Sequence, residues 1–113
     1  MGFDTLAALT VLELREKYPQ IQLIMILPYP EQDSAWSEKD RQKYAYILAN
    51  ANKKRYTSEH YHKSCFHVRN RYLVDNANYC LAYLNKDSGG TAYTVDYAFK
   101  NGLEVINIAK KIW

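Results

Sequence analysis

The stretch YCLAYLNKDSGGTAYTVDYAFKNGLEVINI, Tyr79–Ile108, reads as strand, turn, helix and strand in succession. Tyr79–Leu84 is a short apolar run, the length of a buried strand rather than of a helix. Two glycines follow, and then Ala92, Val95 and Phe99 recur at helical spacing, so a helix is predicted over Gly90–Lys100 with those three residues facing inward. Asn101-Gly102 is a helix stop signal, and Val105–Ile108 is a second apolar run. Two strands joined through a helix run parallel, because a tight hairpin cannot connect parallel neighbours.

The same alternation extends toward the N-terminus. Ala7, Val11, Leu14 and Tyr18 lie on one face of a helix from about Asp4 to Tyr18, which Pro19 ends. IQLIMIL, Ile21–Leu27, is a continuous apolar run, as expected of a strand covered on both faces. The loop PYPEQDSAW follows. Ser37, with Asp40 three residues on, then marks the start of a second helix whose inner stripe is Tyr44, Ile47, Leu48 and Ala51. KRYTS is a weaker strand of edge character. A third helix is predicted from about Glu59 to Val74, burying Tyr61, Cys65, Val68 and Tyr72. The pattern defines an α/β fold: a Rossmann-like, doubly wound parallel sheet of about four strands with helices on both faces, formed by residues 1–113 as a single domain.

In such sheets ligands bind beyond the carboxyl ends of the strands. That rule places Ser88, Gly89, Gly90 and Thr91 at the binding edge. A helix N-terminus there offers N–H groups without intrahelical acceptors and about half a positive charge. Glycine lets an anion approach the backbone, so an added side chain at Gly90 is expected to close the cradle. Ser88 and Thr91 add hydroxyls. The turn reads as a phosphate cradle or as a plain tight connection, and its residues are compatible with both. RNRYLVD, Arg69–Asp75, sits late in the third helix. Arg69 could pair two oxygens of a phosphate, and Asn70 offers donor and acceptor; the other reading is a solvated helix flank. Gly2 and Asp4 open the first helix, where Asp4 also serves as an N-cap. Tyr29 and Trp36 flank the loop after the Ile21 strand and are placed either to stack on a base or to pack on their own domain.

Composition narrows the function classes. A net charge of +3 without a long basic run gives little reason to expect nucleic acid. There is no apolar run near the ~20 residues of a membrane span, and the expected location is the cytoplasm. Cys65 and Cys80 have no metal-type or redox-type spacing and read as reduced core thiols. His62, Cys65 and His67 do not converge as zinc ligands should, so neither a metal nor a cofactor is expected. Eleven of 113 residues are tyrosine, a side chain suited equally to half-buried helix faces and to ligand pockets.

Three stretches in order, GFDTLAA, RNRYLVD and SGGTAYTVDYA, resemble the SLOG superfamily, the Rossmann-like group that joins the Smf/DprA and LOG proteins. The resemblance is greatest to its small YpsA-type bacterial branch and runs through LREKYPQIQLIMILPYPEQDSAW, including Gln32 and Trp36. It covers essentially the whole chain. It implies a pocket for a nucleotide or nucleotide-derived ligand, built here from Gly2 and Asp4, Arg69 and Asn70, and Ser88, Gly89, Gly90 and Thr91.

Two departures follow from the same comparison. Family members carry a further strand and glycine-rich turn ahead of the G-x-D motif, whereas this chain begins inside that motif. The absent strand would be central, between the Ile21 and Tyr79 strands. Its loss would leave an unpaired edge, met by cover from another chain, by a rearranged sheet, or by the chain being a fragment; a homodimer contacting through Met1–Leu9 or the neighbouring strand edge is the expected remedy. Second, LOG-type hydrolases place a catalytic glutamate where this chain has Thr94, and a hydroxyl of ordinary pKa does not replace a carboxylate as general acid or base. Asp96 is two positions away, roughly 200° around the helix. No catalytic residue is therefore expected. The expected function is non-catalytic binding of a nucleotide-derived phosphate ligand by a sensor or sequestering module. The alternatives are a nucleoside-phosphate hydrolase of phosphoribohydrolase type, with Asp4 or Asp75 as substitute carboxylates, and a domain with an assembly role only.

Overall fold

The computed structural model describes residues 3–86 and 88–109. Eight elements alternate along the chain: α1 (Phe3–Lys17), β1 (Ile24–Leu27), α2 (Glu38–Asn50), β2 (Lys53–Tyr56), α3 (Cys65–Asp75), β3 (Tyr79–Ala82), α4 (Gly90–Lys100) and β4 (Glu104–Asn107). The strands form two parallel pairs, β1 with β2 and β3 with β4. This is the expected α/β architecture, compatible with a Rossmann-like fold. The chain divides into two compact units, Met1–Tyr61 and His62–Trp113.

In the first unit Ile24 pairs with Lys53 and Leu27 with Tyr56. Leu23 and Met25, two residues apart, share a sheet face, and pack with Ala8 and Leu12 of α1 and Ile47 of α2. Ile24 points to the opposite face and is 49% exposed. The expectation of a strand over Ile21–Leu27 covered on both faces is thus corrected. Only four residues pair, and within the unit the helices cover one side. The apolar run is continuous because its far face also carries isoleucines.

The buried residues of α1 are Ala8 and Leu12, with Leu9 and Val11 partly buried beside them. The stripe is therefore turned from the predicted one, and Leu14 and Tyr18 are exposed. Apolar residues at 6, 7, 8, 9, 11, 12 and 14 nearly surround this helix, so periodicity alone admits more than one inward face. On α2 the predicted start holds: the Asp40 N–H donates to Ser37 Oγ at 3.2 Å, and Tyr44 and Ile47 are buried. The ends of β1 and β2 are tied by Asn52. Its N–H donates to the Leu23 carbonyl at 2.8 Å, and its side-chain oxygen accepts from Leu23 N–H at 2.8 Å and from Arg15 at 2.7 Å.

In the second unit Tyr79 pairs with Glu104 and Ala82 with Asn107, so β4 begins one residue before the predicted Val105 and ends one before Ile108. The α4 helix packs on α3 and on both strands, burying Cys65, Val74, Ala82 and Ala98. Its bounds are those read from the sequence, but its inner face is corrected: Ala98 is fully buried and Phe99 is 73% exposed. The small side chain allows the close contact, and the larger neighbour is turned about 100° away.

Gly102, at φ 82°, ends α4. Its N–H donates to the Phe99 carbonyl and that of Leu103 to Ala98, both at 3.1 Å, the paired bonds of a Schellman motif. The α3 helix starts at Cys65, not Glu59. His62 explains the delay, because its ring nitrogen Nδ1 accepts from Ser64 N–H at 3.3 Å. That local bond competes with helix continuation. Tyr61 accordingly lies outside the helix and is exposed rather than buried.

Candidate functional site

The glycine turn joins the carboxyl end of β3 to α4. Beyond Ala82 the β3–β4 ladder is prolonged by a side chain. The Asn107 carboxamide accepts from Leu84 N–H at 3.0 Å and donates to Leu84 carbonyl oxygen at 2.8 Å. Its oxygen also accepts from Ala109 N–H at 3.1 Å. The strand end that precedes the turn is therefore held as if by one more peptide unit. Ser88, Gly89, Gly90 and Thr91 are all exposed.

Gly89 is the N-cap of α4, with φ 102° and ψ −177°, a backbone region that is essentially glycine's alone. Gly90 has no such requirement, and an added Cβ at either glycine would meet nothing within 4 Å. The Gly89 carbonyl accepts from Tyr93 N–H at 3.0 Å, so the helix is closed from its first turn. The N–H groups of that turn have no intrahelical acceptors. Thr94 donates its hydroxyl to the Gly90 carbonyl at 3.0 Å, a bond within the helix.

Arg69 and Asn70 lie on α3 of the same unit. Both are half-buried, and Arg69 Nε donates to Asn70 Oδ1 at 2.6 Å, so the two are held as a pair. Alongside them α3 and α4 share a seam of polar and aromatic residues. The His67 and Tyr93 rings are 4.4 Å apart, Arg71 donates to Tyr93 OH at 3.4 Å, and Tyr97 OH donates to Asp75 at 2.8 Å. The spacing 67, 71, 75 on one helix and 93, 97 on the other is one residue per turn. The bond to the Asp75 carboxylate raises the Tyr97 pKa, with burial and that same negative charge adding to the effect. His67 Nδ1 is buried without a hydrogen-bond partner. Sequence reasoning missed this seam, although the i, i+4 spacing carries its signal.

The remaining predicted residues belong to the first unit, except Gly2, which lies outside the described residues. Asp4 is exposed in the first turn of α1. Trp36 packs edge-to-face on the buried Tyr44 at 5.1 Å, and Tyr44 OH accepts from Gln32 at 3.0 Å. Tyr29 meets Tyr61 edge-to-face at 5.7 Å. Both cysteines are free; burial raises the Cys80 pKa, and Cys65 is fully buried. Among the described residues there is no group of three or more His, Cys, Asp or Glu side chains able to hold a metal ion, and no helix long and apolar enough to cross a membrane.

Parallel strand pairs with intervening helices, and a glycine-capped helix at a strand's carboxyl end, define an α/β protein of Rossmann-like type. Within that class the chain belongs to the YspA SLOG family, whose model matches residues 1–107. It is similar to UPF0398 proteins of Bacillus thuringiensis strain Al Hakam and Bacillus cereus strains AH187 and B4264, with 28% identity over 109 residues in each case. The match covers 90% of this chain and 57% of each relative, so the chain spans little more than half the length of these proteins.

Proposed function

We propose that the chain binds the phosphate of a nucleotide or nucleotide-derived ligand at the glycine turn, without hydrolysing it. The observation that carries this reading is the start of α4. An exposed turn whose cap, Gly89, adopts a glycine-only conformation leaves the helix N-terminus approachable by an anion. Arg69 and Asn70 on α3 contribute charge-assisted recognition. Two features speak for binding over hydrolysis: Thr94 occupies the position of the hydrolase glutamate, and its hydroxyl is engaged by the Gly90 carbonyl. The carboxylate of Asp75, a substitute considered for the hydrolytic reading, already accepts the Tyr97 phenol.

Calorimetric titration with AMP, followed by chromatography of the mixture, tests this. Saturable heat with no free base is the expected result. Release of adenine would establish the phosphoribohydrolase alternative, and absence of any binding would leave an assembly role.

A further inference from the structure

We infer that Arg71 of α3 and Tyr93 of α4 form a donor pair that grips the phosphate of a nucleotide-type ligand, a role that rests on the phosphate binding proposed above. Arg71 Nη1 donates to Tyr93 OH at 3.4 Å, a long bond for such a donor. Among the described residues Arg71 makes no other hydrogen bond, so most of its N–H groups are unspent. The Tyr93 hydroxyl accepts in that bond, and among the described residues its own hydrogen goes to no acceptor.

A guanidinium cannot shed its charge in a protein, and Arg71 is half-buried. The carboxylate placed to meet it is Asp75, one helical turn on. Asp75 instead accepts the Tyr97 phenol at 2.8 Å. On α4 the Asp96 carboxylate is taken by Lys100 at 2.9 Å. Among the described residues Arg71 therefore has no carboxylate in contact with it.

The pair stands beside the glycine turn. Tyr93 N–H donates to the Gly89 carbonyl at 3.0 Å, so Tyr93 belongs to the first turn of α4, where side chains lean toward the helix N-terminus. His67, one turn before Arg71 on α3, packs its ring on that of Tyr93 and holds the phenol in place. Two converging donors, one of them a permanent cation, suit an oxyanion, and a phosphate monoester has oxygens for both. Arg69 is a separate cation. It lies about 200° around α3 from Arg71, and its Nε is engaged by Asn70. In RNRYLVD either arginine is chemically suited to a phosphate; the bond to α4 singles out Arg71.

Calorimetric titration with AMP of the parent chain, Arg71→Met, Tyr93→Phe and Gly90→Val tests this. Arg71→Met keeps the apolar stem without the charge and should weaken AMP by about 10- to 150-fold, the range of a charge-assisted hydrogen bond. That loss should shrink as salt is raised, because screening acts on the charge and not on packing. Tyr93→Phe keeps the ring and should weaken AMP by about 2- to 12-fold; it decides alone if Arg71→Met does not fold. AMP that binds either folded variant as tightly as the parent overturns the pair, and if Gly90→Val still weakens binding the turn survives without it. Weakening by Arg71→Met and Tyr93→Phe but not by Gly90→Val leaves the pair standing and removes the turn. A parent chain that binds no AMP overturns both.

Discussion

At the scale of single residues, the two adjacent glycines of the turn have different physical roles. Gly89 carries the left-handed backbone angle and Gly90 does not. Because a Cβ at Gly89 would meet no atom, the cost of Gly89→Ala comes from the backbone alone, about 1–3 kcal/mol. Gly90→Ala in the first turn of a helix is expected to be neutral or to stabilise by up to about 1 kcal/mol, since it restricts the unfolded chain. Urea denaturation of the two variants should give opposite or clearly unequal shifts in midpoint. Equal losses would mean that the turn, not the angle at Gly89, sets the requirement. The sequence marked the turn as important but could not divide it, because φ belongs to a position and both positions hold the same residue.

At the scale of elements, the α3–α4 seam sets an expectation at high pH. Tyr97 donates to Asp75, so the folded state favours the neutral phenol and the Tyr97 pKa lies above the ordinary tyrosine value. The stabilisation is fully present below the unfolded pKa of about 10, and is lost as pH rises through the higher folded value. Ultraviolet difference titration should show the Tyr97 phenol ionising later than an ordinary tyrosine. Tyr97→Phe should remove that late step, and Asp75→Asn should move it back toward the ordinary range. A titration unchanged by either substitution would show that the bond does not form in solution.

The elements also show what the sequence could specify. The bounds of α4 were legible because glycines mark both ends. The start of α3 was not, because His62 redirects the Ser64 N–H through its side chain, and nothing in the periodicity of Tyr61, Cys65 and Val68 reveals that. Inward faces were legible on α2, where residues 38–43 are all polar or charged and Tyr44 opens the apolar stripe. They were ambiguous on α1 and α4, where apolar residues sit side by side. Of the candidate site, the turn and the Arg69–Asn70 pair could be read from residue type. The Tyr29–Tyr61 contact could not, because it joins residues 32 positions apart on two irregular segments.

At the scale of the whole molecule, one face of β3 is apolar and exposed among the described residues. Tyr79 and Leu81 of β3, and Tyr83 just beyond its end, alternate toward one side and are all exposed, Leu81 by 57%, while Ala82 faces the helices and is buried. A contiguous apolar strip on a parallel strand is a feature that proteins normally cover. We propose that a second copy of the chain covers it, as a two-fold homodimer. Sedimentation velocity at micromolar concentration should give a dimer, and Leu81→Lys should shift it to monomer while circular dichroism stays the same. A monomeric parent chain would remove the proposal.

Asn107 has a consequence that unfolds in time. Its carboxamide serves as donor and acceptor at once toward Leu84, and hydrolysis of that amide, which takes up a solvent water and releases ammonia, leaves a carboxylate that can only accept. The oxygen that replaces the amide nitrogen would then face the Leu84 carbonyl, turning an attraction into a repulsion just where β3 leads into the glycine turn. Chemical ageing at this one residue would loosen the approach to the candidate site without breaking the chain. Asn107→Asp reproduces the aged form, and its melting temperature should fall below that of the fresh protein and match that of any deamidated fraction separated from an old sample by charge.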